Sequence, residues 1–369
     1  MEQSNIDIKD IIERLRELFG LVSPKIIGVD IGQSSVKISE IEHKNGTFKL
    51  LKFTKAKLPE ASIIEDEIQK PDEIKLIVKE AIKKGKFSTG QICIGLYGPN
   101  TVSRKLQLAG GTEEELEDQV FWEAEQYLPF PLEDSNLDHF LVGDNIGGGV
   151  DVIVAAVKKE IMQRFRSLAE GDGSVVKIAD LSSLAVSNLL INHLENTEEE
   201  DDNRSRMFID FGAQKTIFIM IKNRMPVFVK EVMMGGTVVT EEIQRQLGVN
   251  FSEAEDLKVT TDGQGNLPEE IVSIIKSINE TIIAEIRKAY DIYINATSDD
   301  DLANCYVTGG SIQLPNFLDS LSKNLNVDIT VYNPFESIEY SSAFSEEDLA
   351  EIAHVGAVSL GLAMRSVEV

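Results

Sequence analysis

Two stretches of this chain share one pattern. Ile27-Gly-Val-Asp-Ile-Gly-Gln-Ser-Ser-Val-Lys37 and Phe208-Ile-Asp-Phe-Gly-Ala-Gln-Lys-Thr216 both run apolar, aspartate, apolar, glycine, small or polar, hydroxyl. Asp30 and Asp210 lie 180 positions apart. Each copy predicts a strand that ends near its aspartate, turns at Gly32 or Gly212, and re-enters a second strand. Glycine allows a close approach or a positive φ that a Cβ would oppose. The backbone N–H groups of such a turn form a concave site for an anion. Asp30 and Asp210 would stand at the cleft floor, spaced to orient Mg²⁺ through its waters, as that small cation prefers. Gln33, Ser34, Ser35, Ala213 and Thr216 complete the turns, with hydroxyls among them, and Lys37 adds a positive charge. One D-x-G turn alone is an ordinary hairpin. Two, each opening a three-stranded meander in its own half, predict related lobes facing each other across a nucleotide.

A third stretch, Tyr306-Val-Thr-Gly-Gly-Ser-Ile-Gln-Leu-Pro315, reads strand, double glycine, helix. Gly309, Gly310 and Ser311 would let a flat ring or a ribose lie on the backbone, and the helix N-terminus favours phosphate. A plain β–α turn has the same pattern.

The chain has 369 residues, which predicts two or more domains. Its 62 acids against 36 Lys and Arg leave a net charge of −26. That field repels nucleic-acid phosphates and anionic lipid and favours basic peptide segments as partners. The longest uncharged apolar run, 355–364, falls short of the about 18 residues a membrane span needs. Glu2, Asp7 and Asp10 leave no basic leader region. Cys93 and Cys305 sit in apolar runs without CxxC spacing and read as buried reduced thiols. The four histidines are scattered, against a structural zinc site. These features predict a cytoplasmic protein.

Residues 5–20 place Ile8, Ile11, Ile12, Leu15, Leu18 and Phe19 on one helical face. Strands are predicted at 25–31, 35–42 and 47–56, a helix capped by Asp72 at 72–84, and a strand at 91–97. Residues 101–180 read as a compact unit of strand, helix, hairpin, helix and strand, with Thr112 and Glu115 as the capping box of its first helix. A helix at 182–193 runs into an acidic solvated loop at 197–202. The second half carries strands at 206–211, 215–221, 227–234 and 304–308. Its helices are predicted at 237–247, 252–258, 268–293 and 315–324, with a last one at 346–364.

In this order the three glycine motifs resemble the phosphate-1, phosphate-2 and adenosine segments of the actin/Hsp70/sugar-kinase superfamily, over most of residues 25–369. Within it the chain is similar to the PilM family of actin-like type IV pilus assembly proteins, with cell-division protein FtsA as a well-known relative. The points of resemblance are the first glycine motif, Glu123-Ala-Glu-Gln-Tyr-Leu-Pro-Phe-Pro-Leu132, Asp210-Phe-Gly-Ala213, Glu253-Ala-Glu-Asp-Leu-Lys258 and Asn333-Pro-Phe335. Ser311 holds the third small position of the adenosine turn, and Asn316 stands where relatives carry glycine.

The resemblance implies an α/β, actin-like (ASKHA) two-lobe ATPase fold with an inserted 1C subdomain as in FtsA. After the N-terminal amphipathic helix at 1–24, subdomain 1A would comprise 25–100, 181–205 and 346–369, and 1C residues 101–180. Subdomain 2A would comprise 206–237 and 305–345, and 2B residues 238–304. It implies ATP and Mg²⁺ as cofactors. Glu255 and Lys258 would join Gly309, Gly310 and Ser311 at the adenosine, although an i,i+3 surface ion pair reads the same way. The implied partner is the cytoplasmic N-terminal tail of PilN, held in a groove beside 1C, with Trp122, Tyr127 and Phe130 as candidates to reach it. Other platform proteins, assembly ATPases and self-association fit the same picture, as does a peripheral place at the cytoplasmic face of the inner membrane.

Hydrolysis needs a residue that orients or deprotonates water, and beyond Asp30 and Asp210 none is singled out. Gln33 and Gln214 could position water or simply face solvent. Slow or absent turnover is therefore expected. Two other readings are an FtsA-like filament-forming homologue and a small-molecule kinase.

Overall fold

The computed structural model describes residues 25–44, 46–64, 66–145, 148–197, 203–261 and 266–365. The predicted N-terminal helix and most of the acidic loop expected after the helix at 182–193, residues 198–202, lie outside them. The chain builds one sheet twice. In the first, strands β1 (Ile27–Ile31), β2 (Ser35–Lys44) and β3 (Thr47–Lys57) form an antiparallel meander. The short ribbon β4 (Ile63–Ile64) and β5 (Glu67–Ile68) and helix α1 (Pro71–Gly85) lead to β6 (Gln91–Leu96), which pairs parallel to β1.

An inserted sheet follows, formed by β7 (Thr101–Leu108), β8 (Ser135–Asp144) and β9 (Val150–Lys158) in the order β7-β9-β8. Helices α2 (Glu113–Glu125) and α3 (Lys159–Ala169) belong to the same stretch. Strand β10 (Val175–Leu181) then returns to the first sheet beside β6. Helix α4 (Ser182–Asn196) crosses to the second sheet, which repeats the pattern. There β11 (Ser205–Phe211), β12 (Thr216–Lys222) and β13 (Met225–Val232) form the meander. Helices α5 (Thr237–Leu247), α6 (Phe251–Val259) and α7 (Glu269–Thr297) come next, then β14 (Leu302–Thr308), helix α8 (Phe317–Leu325) and β15 (Ile329–Val331), with β14 parallel to β11. The second sheet runs β13-β12-β11-β14-β15, the counterpart of β3-β2-β1-β6-β10 in the first.

The patterning explains these elements. Strands β1 and β12 are apolar on both faces because helices cover both sides. Helix α7 carries Ile271, Ile274, Ile275, Ile282, Ile283 and Ile286 at helical spacing and buries them all. Helices α4 and α10 (Ala357–Ala363) lie between the two sheets, in a core shared by Leu50 and Cys93 of one sheet and Phe208 and Ile219 of the other. Gly361 permits that layer: a Cβ there would stand 2.0 Å from the Ala185 carbonyl oxygen. Both cysteines are buried and free.

Four expectations need correction. The compact unit expected at 101–180 is shorter: the inserted sheet ends at Lys158, while α3 packs its Phe165, Leu168 and Ala169 into the first-lobe core and β10 pairs with β6. Helix α1 starts with Pro71 at its first turn and receives no side-chain cap, so Asp72 is a first-turn acid rather than the cap. The single helix expected at 346–364 is two, α9 (Glu346–Val355) and α10, divided at Gly356, whose Cβ would crowd the Ile352 carbonyl oxygen at 2.7 Å. Residues through 345 were expected in the second lobe. Instead the 3₁₀ turn Pro334–Glu336 sends the chain back, and β16 (Glu339–Tyr340) pairs parallel to β3 of the first sheet. The Thr112–Glu115 capping box is present on α2 in both directions.

Candidate nucleotide cleft and partner groove

The two glycine motifs form matching hairpins. Gly32 N–H donates to the Ser35 carbonyl at 3.1 Å, and Gly212 N–H to the Lys215 carbonyl at 3.0 Å. The register sets Asp30 opposite Lys37, and Lys37 Nζ lies 3.0 Å from Asp30 Oδ2. In the second hairpin Asp210 faces Ile217 instead, so its carboxylate has no partner on its own strand pair. Burial is the largest influence on Asp210 and raises it; Lys37 opposes, Asp30 adds repulsion, and Lys215 opposes. The outcome is a carboxyl pushed up to about 6. Lys37 and Asp30 act on Asp210 only because the hairpins of the two lobes face each other.

Around this floor the structure adds residues that the motifs did not reveal. Lys215 Nζ sits 3.6 Å from the centre of the Tyr97 ring and 3.2 Å from Glu231 Oε2. The same Glu231 oxygen accepts the Gly98 N–H at 3.1 Å. Gln33 donates to Asp66 Oδ1 at 2.7 Å, while Asp66 Oδ2 is buried without a partner. Burial raises the Asp66 carboxyl most; Lys215 opposes it, Glu231 adds repulsion, and the Gln33 hydrogen bond opposes. Lys215 stands inside the second motif and could have been marked there. Asp66 and Glu231 carry no local signal, since their partners are 33 and 16 or more residues away.

The adenosine candidates converge. Ser311 Oγ donates to the Gly212 carbonyl at 2.8 Å. Gly309, at φ +103, lets β14 close onto β11, where a Cβ would meet the Phe211 carbonyl oxygen at 2.2 Å. Gly236 abuts Ser311, and its N–H donates to the Gly212 carbonyl at 3.1 Å. Lys258 Nζ contacts Glu255 at 2.5 Å and Thr240 Oγ1 at 2.9 Å, and reaches toward the Gly236 carbonyl at 3.5 Å. Thus Glu255 and Lys258 face the glycine turns. Asn316 adopts φ +60, a left-handed conformation that asparagine tolerates. Ser35 is buried and Ser34 exposed at the first turn. Thr216 spends its hydroxyl proton on the Met234 carbonyl at 2.8 Å and so acts as a strut beneath the Gly235–Gly236 turn.

A second concavity, about 920 Å³, opens between the inserted sheet and the second lobe. One wall is the run 103–107 of β7 with Tyr127; the other is 226–229 of β13 with Tyr293 and Asp299. Strands β7 and β13 are both sheet edges. Arg104 stacks over the Tyr127 ring at 3.8 Å, and Lys222 pairs with Asp299 at 2.7 Å. Three cations (Arg104, Lys105, Lys222) and two carboxylates (Glu123, Asp299) line it, so the groove itself is not acidic. Tyr127 lines the groove and is 42% exposed. Phe130, expected to reach a groove, is only 8% exposed and is not part of the groove lining. Trp122 is 73% exposed but is not part of the groove lining.

Comparison with known proteins gives this arrangement a family. The model of the family described as type IV pilus assembly protein PilM matches residues 28–367. The chain belongs to the PilM family. A solved structure described as the PilM-PilN type IV pilus biogenesis complex superposes with a TM-score of 0.81 at 24% identity, covering 93% of this chain and 99% of that one. Among curated proteins the chain is similar to cell division protein FtsA of Enterococcus hirae, at 20% identity over 89% of this chain and 86% of the relative. It is also 23% identical to FtsA of Streptococcus pneumoniae serotype 2 over 71% of this chain, spanning 62% of that protein's length. The fold is the actin-like ATPase fold, and among the described residues no helix is long and apolar enough to cross a membrane.

Proposed function

We propose that this PilM-family chain is a nucleotide-responsive scaffold of the type IV pilus assembly platform. It would bind ATP with Mg²⁺ between the two hairpins, and the N-terminal cytoplasmic tail of PilN in the groove beside the inserted subdomain. The observation that carries this reading is the bridge Lys215–Glu231–Gly98. It ties the second phosphate hairpin to the residue three positions before the inserted sheet, so nucleotide and partner sites share one polar link.

The donor set fits a magnesium nucleotide. Two carboxylates and two lysines converge, and Asp66 retains an unmatched buried oxygen. Magnesium when bound would neutralise phosphate charge. Asp30 and Asp210 would orient its waters, Lys37 and Lys215 would face phosphate oxygens, and the turn at 309–311 with Glu255 and Lys258 would frame the adenosine. The groove suits an extended tail. Edge strands present unpaired backbone groups, and a peptide can add to such an edge with alternate side chains on the apolar wall. Held by that tail, the chain would sit beside PilN at the cytoplasmic side of the inner membrane, a reading supported by its membership of the PilM family.

The deciding experiment is calorimetric titration of the full chain with a PilN N-terminal peptide, with and without magnesium ATP. Affinity should change between the two states. No binding in either state would remove the partner assignment.

Two expectations follow from the cleft itself. A carboxylate orients the cation only when ionised, and the Asp210 carboxyl releases its proton at about 6. Magnesium nucleotide affinity should therefore fall as pH drops through this value, by up to about tenfold per unit. The Asp210→Asn variant should bind weakly with a flat profile; a flat wild-type profile from about pH 5 to 7.5 would remove Asp210 from the cation site. Turnover, measured as phosphate release, should stay below about one per minute, far under the ~1–10³ s⁻¹ of ordinary enzymes. A sugar that raised the rate into that range would make the chain a kinase.

A further inference from the structure

The outer face of α2 is a surface that neither cleft uses. Positions 114, 117, 118, 121, 122 and 125 form one stripe at helical spacing and are all exposed. Glu114, Glu117, Asp118 and Glu125 surround Phe121, 44% exposed, and Trp122, 73% exposed. Helix α2 has seven acids in 13 residues, and no base anywhere in it. The fold gains nothing from this. Glu114 repels Glu117 and Asp118 at i,i+3 and i,i+4, at a cost of about 0.2–0.5 kcal/mol per pair. Glu125 sits in the last turn, where the helix dipole favours cations. Only the first-turn acids are explained by capping. An exposed aromatic pair inside a self-repelling carboxylate rim is relieved only by something cationic laid across it.

We propose that this stripe is a docking surface, separate from the groove, for a cationic helical segment of another protein. Its Lys and Arg side chains pair with the four carboxylates while its apolar residues cover Phe121, and a cation or apolar group lies on the Trp122 ring. The stripe spans about 17 Å of helix, which suits a second helix presenting i, i+3, i+4 and i+7 contacts. Anionic lipid is repelled by the same carboxylates. The chain's own N-terminal segment is a poor match, since residues 1–24 hold five acids against Lys9, Arg14 and Arg16. A second copy with net charge −26 is disfavoured for the same reason.

Trp122 is the single tryptophan of the chain, so its emission reports on this surface alone. The test titrates the full chain with a labelled amphipathic Leu/Arg helical peptide of about 16 residues, long enough to hold a helix once docked. Trp122 emission should shift to the blue and saturate. Phe121→Ser with Trp122→Ser, and separately Asp118→Lys with Glu125→Lys, should each weaken binding about tenfold or more by anisotropy. Glu195→Lys with Glu280→Lys, the same charge change on exposed positions elsewhere, should stay within about twofold, as should Tyr127→Ala in the groove. Equal weakening by the remote charge pair would mean that the field of the whole protein attracts the peptide, and would overturn the proposal. So would an unshifted Trp122 emission, or self-association of the wild type that the stripe variants abolish. The groove reading is tested by the PilN peptide and Tyr127, so either can fail alone.

Discussion

Replacing Asp30 by alanine is expected to weaken magnesium nucleotide binding by tenfold or more, about 1.4 kcal/mol. Asp30 is buried at the end of β1, 3.0 Å from Lys37, and it repels Asp210 across the cleft. Its loss removes one of two carboxylates available to the cation waters and frees Lys37 to neutralise the other. Asp210→Ala should cost as much, because Lys37 then remains fully paired with Asp30. Neither variant leaves a charge stranded: Lys37 turns to Asp210 in the first, and Asp210 is itself under strain from burial in the wild type. Melting temperatures should therefore move little. Unchanged affinity in both variants, by calorimetry, would take the nucleotide out of this cleft.

The second large effect concerns the groove. Tyr127→Ala removes the ring on which Arg104 stacks, and Val227→Asp places an unpaired charge on the apolar wall. Each should weaken PilN tail binding by about tenfold or more while nucleotide affinity stays within a few fold. Excision of 101–180 is not a clean test, because Phe165, Leu168 and Ala169 of α3 belong to the core of the first lobe. Phe130→Ala should instead lower stability by about 3 kcal/mol, as a buried phenyl does when truncated. The lining holds three cations and two carboxylates, so raising salt from about 0.05 to about 0.5 M should alter tail affinity only modestly. Wild-type affinity in both groove variants would place the tail elsewhere.

Periodicity and turn chemistry were enough to mark the two hairpins, the double-glycine turn, the long α7 and the start of the inserted block at 101. Each is a local property: a period of two or 3.6, a glycine where a Cβ cannot fit, a hydroxyl three residues before a glutamate. The same locality explains the misses. The return of β16 to the first sheet, the break at Gly356 and the burial of Phe130 each depend on what packs opposite, which no window of sequence contains.

The sequence by itself determined that two related hairpins exist and which residues they carry. Only the tertiary structure decided that Lys37 pairs with Asp30 and leaves Asp210 unpaired and hard to ionise. It likewise decided that Lys215, Glu231 and Gly98 join the lobes, and that four exposed carboxylates gather around Phe121 and Trp122 on the outer face of α2. Charge and burial act through space at a few ångströms, between residues tens to hundreds of positions apart, and only the folded chain brings them within that range.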